Sequence, residues 1–207
     1  MRILNASFEI LDTFDAESML KSIERAGRVC YKSEEKTTEN SAGKFIERII
    51  RSGHESVIEH EKITVKIVCD RGVSYEIVRH RIASYSQETT RYCNYSHNKF
   101  GNELTFIKPA FWAEGSEEYG IWKQQMQDIE DNYNKLISIG ATPEQARSIL
   151  PNSLKTEIVV TMNLREWRWF FKTRTPKQAH PQMREISIPL LEHFKKKLPA
   201  VFGDIEV

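Results

Sequence analysis

The stretch from about residue 116 to residue 138 constrains the fold most strongly, because its pattern is that of one long amphipathic helix. Trp122, Met126, Ile129, Tyr133 and Ile137 follow one another at steps of three or four residues, which places their side chains along one face of a helix. Tertiary packing of such a face, more than helix propensity, stabilises a helix in a protein. We therefore expect this stripe to lie in a core or in a contact between subunits, and not to form a ligand site.

The rest of the chain mixes strand and helix patterns. Alternating polar and apolar residues predict strands, and apolar residues at helical spacing, with capping residues, predict helices. The expected strands cover residues 2–10, 62–69 and 154–162, with 84–93 extended; the expected helices cover 15–31, 41–53 with Ser41 as cap, 71–81, 142–150 opened by Thr142 and Pro143, 163–174 and 182–197. This mixture predicts an α+β fold with a small antiparallel sheet. No Gly-x-Gly-x-x-Gly turn or P-loop occurs, so a doubly wound dinucleotide-binding fold is not expected.

The length and the charge of the chain limit its organisation and its ligands. At 207 residues, without a Pro/Gly/Ser-rich linker or an internal repeat, residues 1–207 are expected to form a single domain. Thirty basic and 29 acidic residues give a net charge of +1, which argues against a protein that mainly binds a long polyanion. The arginines concentrate in residues 71–91 and 165–184, and this uneven distribution favours small anionic ligands.

The cysteines and the N-terminus predict a cytoplasmic protein. The three cysteines, Cys30, Cys69 and Cys93, are widely spaced and form no Cys-x-x-Cys pair, so neither a disulfide framework nor a zinc site is indicated. The N-terminus lacks a secretory pattern, and no apolar run approaches the ~20 residues that span a bilayer. The segment from His54 to His60 contains two histidines and two glutamates, but it lacks the i, i+4 histidine pair of zinc proteases. We expect no metal there, and no membrane partner.

The run from Arg79 to Tyr92 contains most of the polar chemistry of the chain. It has three arginines, one histidine and several hydroxyl side chains, with almost no aliphatic residues. An arginine presents a planar fork of donors that matches phosphate or carboxylate oxygens, so the run predicts a site for an anionic ligand. One alternative is a solvated surface turn paired with Glu76 and Glu88. Another is an RNA or single-stranded DNA site in which Tyr85, Tyr92 and Tyr95 stack on bases.

The arrangement of these residues resembles the signature of the flavin-dependent thymidylate synthases. In that family Arg-His-Arg is followed after seven residues by a serine and, two residues later, by an arginine; here Arg79-His80-Arg81 leads to Thr89 and Arg91 with the same spacing. Three further blocks match in order: His54 to His60, Ala146-Arg147-Ser148-Ile149-Leu150-Pro151, and Asn163-Leu164-Arg165 followed by Arg174. The four blocks together extend from about residue 54 to about residue 180.

This chain departs from the family pattern at a few positions. Thr89 replaces a serine, Ser86 replaces a common asparagine, Gln87 replaces a common glutamate, and Trp169 stands where the family often has asparagine. Threonine keeps the hydroxyl group but adds a methyl group, so an orienting hydrogen bond is retained. The departures at Thr89, Ser86 and Gln87 leave a further alternative, a catalytically silent relative that binds flavin and nucleotide.

The resemblance implies an activity and a set of ligands. It implies reductive methylation of dUMP to dTMP with 5,10-methylenetetrahydrofolate as carbon donor, FAD as cofactor and NADPH as reductant, in a homotetramer whose sites are shared between subunits. It assigns FAD to Ser56, Arg79, His80, Arg81, Ile82, Gln87, Asn163, Arg165 and Trp169. It assigns dUMP to Glu76, Arg79, Gln87, Glu88, Thr89, Thr90, Arg91, Arg147 and Arg174, with Arg174 as the catalytic residue.

Two chemical features of the chain bear on how uracil would be activated and on where the sites would lie. The C5 carbon of uracil is a poor nucleophile, and no cysteine lies in an obvious activating environment, so we expect electrostatic activation by the Arg174 guanidinium and not thiolate attack. If residues 163–174 form one unbroken helix, Asn163 and Arg174 share a face, whereas Arg165 and Trp169 point nearly the opposite way. One helix cannot easily direct both sets into one pocket, and sites built between subunits would remove that conflict.

Overall fold

The computed structural model describes residues 1–13, 15–91 and 103–207. In chain order its helices and strands are β1 (Arg2–Leu4), β2 (Ser7–Ile10), α1 (Ala16–Val29), α2 (Ala42–Arg51), β3 (Lys62–Asp70), α3 (Arg71–Ile77), β4 (Ala83–Gln87), β5 (Thr105–Ile107), α4 (Glu117–Ser138), α5 (Pro143–Ala146), β6 (Lys155–Asn163), α6 (Leu164–Arg174), α7 (Pro181–Lys197) and α8 (Pro199–Phe202). Short 3₁₀-helices cover Glu34–Lys36, Glu55–His60 and Arg147–Ile149. The predicted α+β class is confirmed. Tyr92, Cys93 and Tyr95 lie outside the described residues.

The strands form two sheets. Four of them follow the order β2-β3-β6-β4 in one sheet. Strands β1 and β5 form a separate parallel pair, in which Ile3 lies opposite Phe106. The single strand expected over residues 2–10 is therefore two strands, which belong to different sheets. The sequence pattern missed β5, whose three residues are too short to show an alternation.

Two compact units divide the chain. The first contains residues 1–7, 67–79 and 86–159, and the second contains residues 8–66, 80–85 and 160–207. Neither unit is one continuous segment of the chain, so the division differs from two consecutive domains joined by a linker. The expectation of a single domain over residues 1–207 remains a prediction.

The core of the first unit is built around helix α4. Trp122, Met126 and Tyr133 are buried there, and Ile129 and Ile137 pack against the same cluster. The other buried members of the cluster are Leu104, Phe106, Ala146 and Leu154. The apolar stripe of residues 116–138 is thus a core face, as the sequence predicts. Ser116 is the N-cap of the helix, and its hydroxyl accepts a hydrogen bond from the Tyr119 N–H.

The core of the second unit is aromatic and lies on helices α6, α7 and α8. Trp167 packs against Phe170, Phe171 and Phe194, with ring centroids 5.4 to 5.8 Å apart. Its indole N–H donates to the Ile63 carbonyl at 3.0 Å, so the polar end of the buried ring is satisfied. This cluster fixes one face of α6 against the core, and the opposite face carries exposed residues.

Several predicted helix ends need correction. Helix α3 begins after Asp70, whose carboxylate accepts from the Val73 N–H, and it ends at Ile77. The Arg79-His80-Arg81 run therefore lies between α3 and β4, and not inside a helix. Ser41 precedes α2, but its hydroxyl makes no capping hydrogen bond. It donates instead to the buried Glu24 carboxylate at 2.9 Å.

Within the part of the chain that the structure describes, each helix is too short or too polar to cross a membrane.

Candidate active site

A cavity of about 480 Å³ in the first unit collects part of the predicted nucleotide residues. Thr90 and Arg147 line it, together with Arg71 and Tyr75 from helix α3. The other lining residues are Glu144, Ser148, Leu150, Pro151 and Asn152. Two sequence blocks that lie far apart in the chain, the arginine run and the segment from Ala146 to Pro151, therefore meet at one concave surface. The capping box of α5, in which Thr142 and Gln145 bond each other's backbone, fixes the start of the second block.

Arg71 is a residue of this cavity that the sequence argument did not single out. Its Nη1 atom is buried and has no hydrogen-bond partner among the described residues. The guanidinium lies over the Tyr75 ring, with its central carbon 5.9 Å from the ring centroid. A buried N–H without an acceptor costs free energy, and an anionic oxygen in the cavity would remove that cost. The signal available in the sequence was the position of Arg71 one helical turn before Tyr75.

Arg91 lies near this cavity through an ion pair. Its Nε donates to Glu144 Oε1 at 3.0 Å, and both side chains are about half exposed. Its backbone N–H donates to the Thr89 hydroxyl at 3.2 Å. The Thr89 side chain thus orders the turn that carries Arg91. Glu144 lines the cavity, so Arg91 is held close to the residues that would meet an anion.

The remaining predicted nucleotide residues of this unit have other surroundings. The Gln87 amide donates to Ser74 at 2.9 Å and to Thr156 at 3.2 Å. The Glu88 carboxylate accepts from Lys155 Nζ at 3.0 Å. Glu76 is half-buried and Arg79 is exposed, and neither is among the described residues that line the cavity. The structure therefore brings together Thr90, Arg147 and the Arg91 turn, and it shows protein partners for Gln87 and Glu88.

Two clefts of the second unit contain most of the residues that the resemblance assigns to flavin. The larger, of about 690 Å³, is lined by Ser56 and Arg165 along with His54 and several basic side chains. Those basic residues are Arg28, Lys36 and Arg48. The smaller, of about 360 Å³, is lined by Ile82, Asn163, Arg165 and Trp169, with Glu55, Glu59, Glu166 and Lys172. Arg165 and Glu55 line both clefts.

The smaller cleft has an exposed apolar surface. Trp169 is 57% exposed and Ile82 is 68% exposed, which is unusual for an indole and a branched aliphatic side chain. Arg165 is ion-paired with Glu59 beside them. Trp169 is therefore not a core residue, because the core face of α6 is occupied by Trp167, Phe170 and Phe171.

Asn163 needs a correction of its own. It was expected to share a helix face with Arg174, but α6 begins at Leu164 and Asn163 is its N-cap, with an extended backbone. Its side-chain oxygen accepts from the Glu166 N–H at 2.8 Å. Because Asn163 is not part of the helix, helical spacing does not set the direction of its side chain. Asn163 lines the same cleft as Arg165 and Trp169.

Arg174, the predicted catalytic residue, is half-buried and has a specific partner. Its Nε donates to His80 Nε2 at 3.1 Å. On the other side of the imidazole ring, His80 Nδ1 lies 3.1 Å from Glu166 Oε1. The hydroxyl of Ser187 donates to the Arg174 carbonyl at 2.7 Å. Arg174 is thus not a solvated arginine that only balances a helix dipole.

Burial shifts the pKa values of the titratable side chains near Arg174. It lowers the pKa of His80 to about 4, and the positive charge of Arg174 adds to the effect. Burial also raises the pKa of Glu166, and it raises the pKa of Tyr85 to about 12, with a further contribution from the negative charge of Glu166. His80 is therefore neutral at physiological pH.

The described cysteines lack an activating environment. Cys69 is fully buried, and burial raises the pKa of its thiol, so the thiolate is disfavoured. Cys30 is exposed and lies in the C-cap position of α1.

Glu55, next to Ser56, is ion-paired with Arg168 and Lys172. The described part of the chain contains no group of three metal-ligating side chains.

These features define an α+β protein with separate arginine-lined clefts of a size that accommodates nucleotides, without a Rossmann turn. A family model described as thymidylate synthase complementing protein matches residues 10–200. The chain belongs to this family, and the resemblance to the flavin-dependent thymidylate synthases is confirmed.

Individual relatives agree with this membership. The flavin-dependent thymidylate synthase of Pyrococcus furiosus is 39% identical over 164 residues, which are 79% of this chain and 66% of that protein. The flavin-dependent thymidylate synthase of Geobacter sulfurreducens is 34% identical over 186 residues, which are 86% of this chain and 78% of that protein. This chain thus spans slightly less than two thirds of the length of the Pyrococcus relative.

The fold also matches a solved structure. A UMP/dUMP methylase, PolB from Streptomyces cacaoi, was crystallised with 5-Br dUMP and superposes with a TM-score of 0.79. The match covers 98% of this chain and 96% of that chain, at 20% sequence identity. At that identity the likeness shows a shared fold.

Proposed function

We propose that this protein converts dUMP to dTMP by reductive methylation, with 5,10-methylenetetrahydrofolate as carbon donor, FAD as cofactor and NADPH as reductant. Family membership and the names of the relatives support the reaction. The observation in the structure that carries the proposal is the cavity of the first unit, where Thr90, Arg147 and the buried Arg71 Nη1 converge. Such a set of donors matches the phosphate of a nucleotide.

Arg147 and Arg91 bind the nucleotide phosphate, and Thr89 and Thr90 hold the turn that presents Arg91. Release of Arg91 from Glu144 costs little, because that ion pair is about half exposed and exposed pairs contribute ~0.2–1 kcal/mol. Glu76, Arg79, Gln87 and Glu88 complete the substrate set that the resemblance implies. For Gln87, the bonds to Ser74 and Thr156 indicate a supporting role within the first unit.

Arg174 stabilises the ionised pyrimidine. Making C5 of uracil nucleophilic requires negative charge in the ring, and a permanently charged guanidinium stabilises that charge without losing a proton. The buried, protonated Cys69 does not offer the alternative of thiolate addition.

The clefts of the second unit fit a flavin dinucleotide. Trp169 and Ile82 offer an exposed apolar surface suited to a flat ring, and Arg28, Lys36, Arg48 and Arg165 offer cationic groups for the phosphates. Ser56, Arg81 and Asn163 add polar contacts. When bound, the flavin supplies the hydride that reduces the transferred carbon.

We further propose a cytoplasmic homotetramer in which each site takes residues from several subunits. Helix α6 carries Arg165 and Trp169 on an exposed face beside one cleft, whereas Arg174 turns toward His80. Contributions from neighbouring subunits would allow both groups to serve one reaction. Neither a nucleic acid nor a membrane is a partner in this proposal.

The test is an assay of the purified protein with dUMP, 5,10-methylenetetrahydrofolate and NADPH. We expect a yellow protein whose flavin spectrum changes on addition of dUMP and which forms dTMP. A colourless protein that binds RNA in a salt-dependent manner would support the nucleic-acid alternative and contradict the proposal. A yellow protein that binds dUMP but forms no dTMP would identify a silent relative.

The Arg174→Ala variant tests the catalytic role. We expect it to keep the flavin and to lose turnover by at least about 100-fold, because removal of one electrostatic stabiliser typically costs that much. Arg51→Ala is the matched control, since Arg51 is the last residue of α2 as Arg174 is of α6. Equal turnover in the two variants would reject the role of Arg174.

A further inference from the structure

Three side chains of the second unit form a hydrogen-bonded chain that ends on the proposed catalytic arginine. Glu166 Oε1 and His80 Nδ1 are 3.1 Å apart, and His80 Nε2 and Arg174 Nε are 3.1 Å apart. The His80 side chain is 4% exposed and that of Glu166 is 11% exposed. The Phe170 ring packs edge-on against the imidazole at a centroid distance of 5.1 Å. Glu166 belongs to none of the matched sequence blocks.

The chemistry of arginine fixes the proton on the histidine. A guanidinium has donors and no acceptor, so His80 Nε2 must accept the hydrogen bond from Arg174 through its lone pair. The imidazole is therefore neutral with its proton on Nδ1, and Nδ1 must donate to Glu166. The lowered pKa of His80 agrees with this neutral state.

We propose that Glu166 is a positioning residue for Arg174, which it acts on through the Nδ1–H tautomer of His80. This inference rests on the proposed role of Arg174 in pyrimidine activation. Without an acceptor at Nδ1, that tautomer would leave a buried N–H unsatisfied, which weakens the preference that Arg174 imposes. The alternative tautomer places a proton on Nε2, where it opposes the N–H of Arg174. The guanidinium would then turn away from its present orientation.

Glu166 is well placed to define this orientation. Its backbone N–H donates to the side chain of Asn163 at 2.8 Å, which anchors it in the first turn of α6. Arg174 is the last residue of the same helix, and His80 bridges the two ends. The helix, held by its aromatic core face, therefore fixes the carboxylate and the guanidinium relative to each other.

The test compares two substitutions at Glu166. Glu166→Leu removes the acceptor, and we expect kcat to fall between about 10-fold and 100-fold, as for a small misplacement of a catalytic group. Glu166→Gln keeps an acceptor oxygen, so we expect it to restore most of the kcat. The dUMP affinity should stay within about threefold of wild type in both variants, because the interaction acts in the transition state.

Thr64→Val is the matched control for loss of a partly buried hydrogen bond in the same unit. Thr64 Oγ1 lies 3.0 Å from Thr161 Oγ1, and neither residue belongs to the proposed site. We expect Thr64→Val to lower stability modestly and to leave kcat unchanged. If Glu166→Leu unfolds, Glu166→Gln and the NMR measurement of the His80 tautomer in the wild type still test the proposed role of Glu166.

Nitrogen-hydrogen NMR correlations of the protein without flavin or substrate identify the tautomer directly. We expect the Nδ1–H form of His80 in the wild type and in Glu166→Gln, with protonation only near pH 4. A wild-type Nε2–H tautomer, or an unchanged kcat in Glu166→Leu, would overturn the inference. If the wild type forms no dTMP, the proposed function fails, and the NMR result still shows whether the chain of hydrogen bonds exists.

Discussion

At the scale of single residues, partners decide what each arginine can do. Arg91, Arg165 and Arg174 are all members of the matched sequence blocks, yet they have different partners: an exposed glutamate, a second exposed glutamate, and a buried neutral histidine. An exposed ion pair is easily exchanged for a ligand. A buried hydrogen bond to histidine instead fixes one orientation, which suits a group that acts on a developing charge.

Arg71 gives the prediction that belongs to this scale. Arg71→Leu removes a buried donor without a described acceptor, so we expect the free protein to be at least as stable and its dUMP affinity to fall about 10-fold to 100-fold. A hydrogen bond to a charged group is worth about 1.5–3 kcal/mol. Calorimetry with dUMP and urea unfolding measure the two effects. Arg2→Leu, an exposed arginine of the same unit, is the control, and an equal loss of affinity there would contradict the role of Arg71.

At the scale of elements, helix α6 presents two sets of proposed site residues in different directions. Its core face packs in the aromatic cluster, its exposed face carries Arg165 and Trp169, and its last residue is Arg174. The pattern of Asn163 and Arg165 identified the block, but the helix begins only at Leu164. Because an N-cap residue has a non-helical backbone, Asn163 lies with Arg165 and not with Arg174.

The arrangement of α6 predicts complementation between subunits. Arg165→Ala and Arg174→Ala are each expected to be nearly inactive. If one site takes these residues from different chains, mixed oligomers formed by co-expression contain some sites with both arginines and regain measurable turnover. A mixture of Arg174→Ala with Arg174→Leu is the control and should stay inactive. Light scattering should give the mass of a tetramer. Absence of recovery in mixed tetramers would place both arginines of a site on one chain.

At the scale of the whole molecule, the buried histidine makes stability depend on pH. The unfolded chain binds a proton at His80 near pH 6.5, whereas the folded chain does so near pH 4. Between these values the unfolded state binds more protons, so the stability contribution is complete above pH 6.5 and is lost as the pH falls toward 4. The shift corresponds to about 3 kcal/mol at ~1.4 kcal/mol per pKa unit.

Urea unfolding of the wild type and of His80→Gln at pH 7, 5.5 and 4.5 measures this contribution. The wild type should lose more stability than the variant over that range. The raised pKa of Glu166 acts in the opposite direction, and the comparison with the variant isolates the histidine. Equal losses in the two proteins would show that His80 is not buried as a neutral group.

Local patterns determined the α+β class, the stripe of α4, the strands β3 and β6, and the blocks that identify the family. These follow from the sequence because periodicity, caps and motif spacing are properties of neighbouring residues. Only the tertiary structure decided that Arg71 joins Thr90 and Arg147, that Trp169 is exposed, and that Glu166 holds His80 against Arg174. Burial and hydrogen-bond partners come from segments distant in the chain, so no local pattern specifies them.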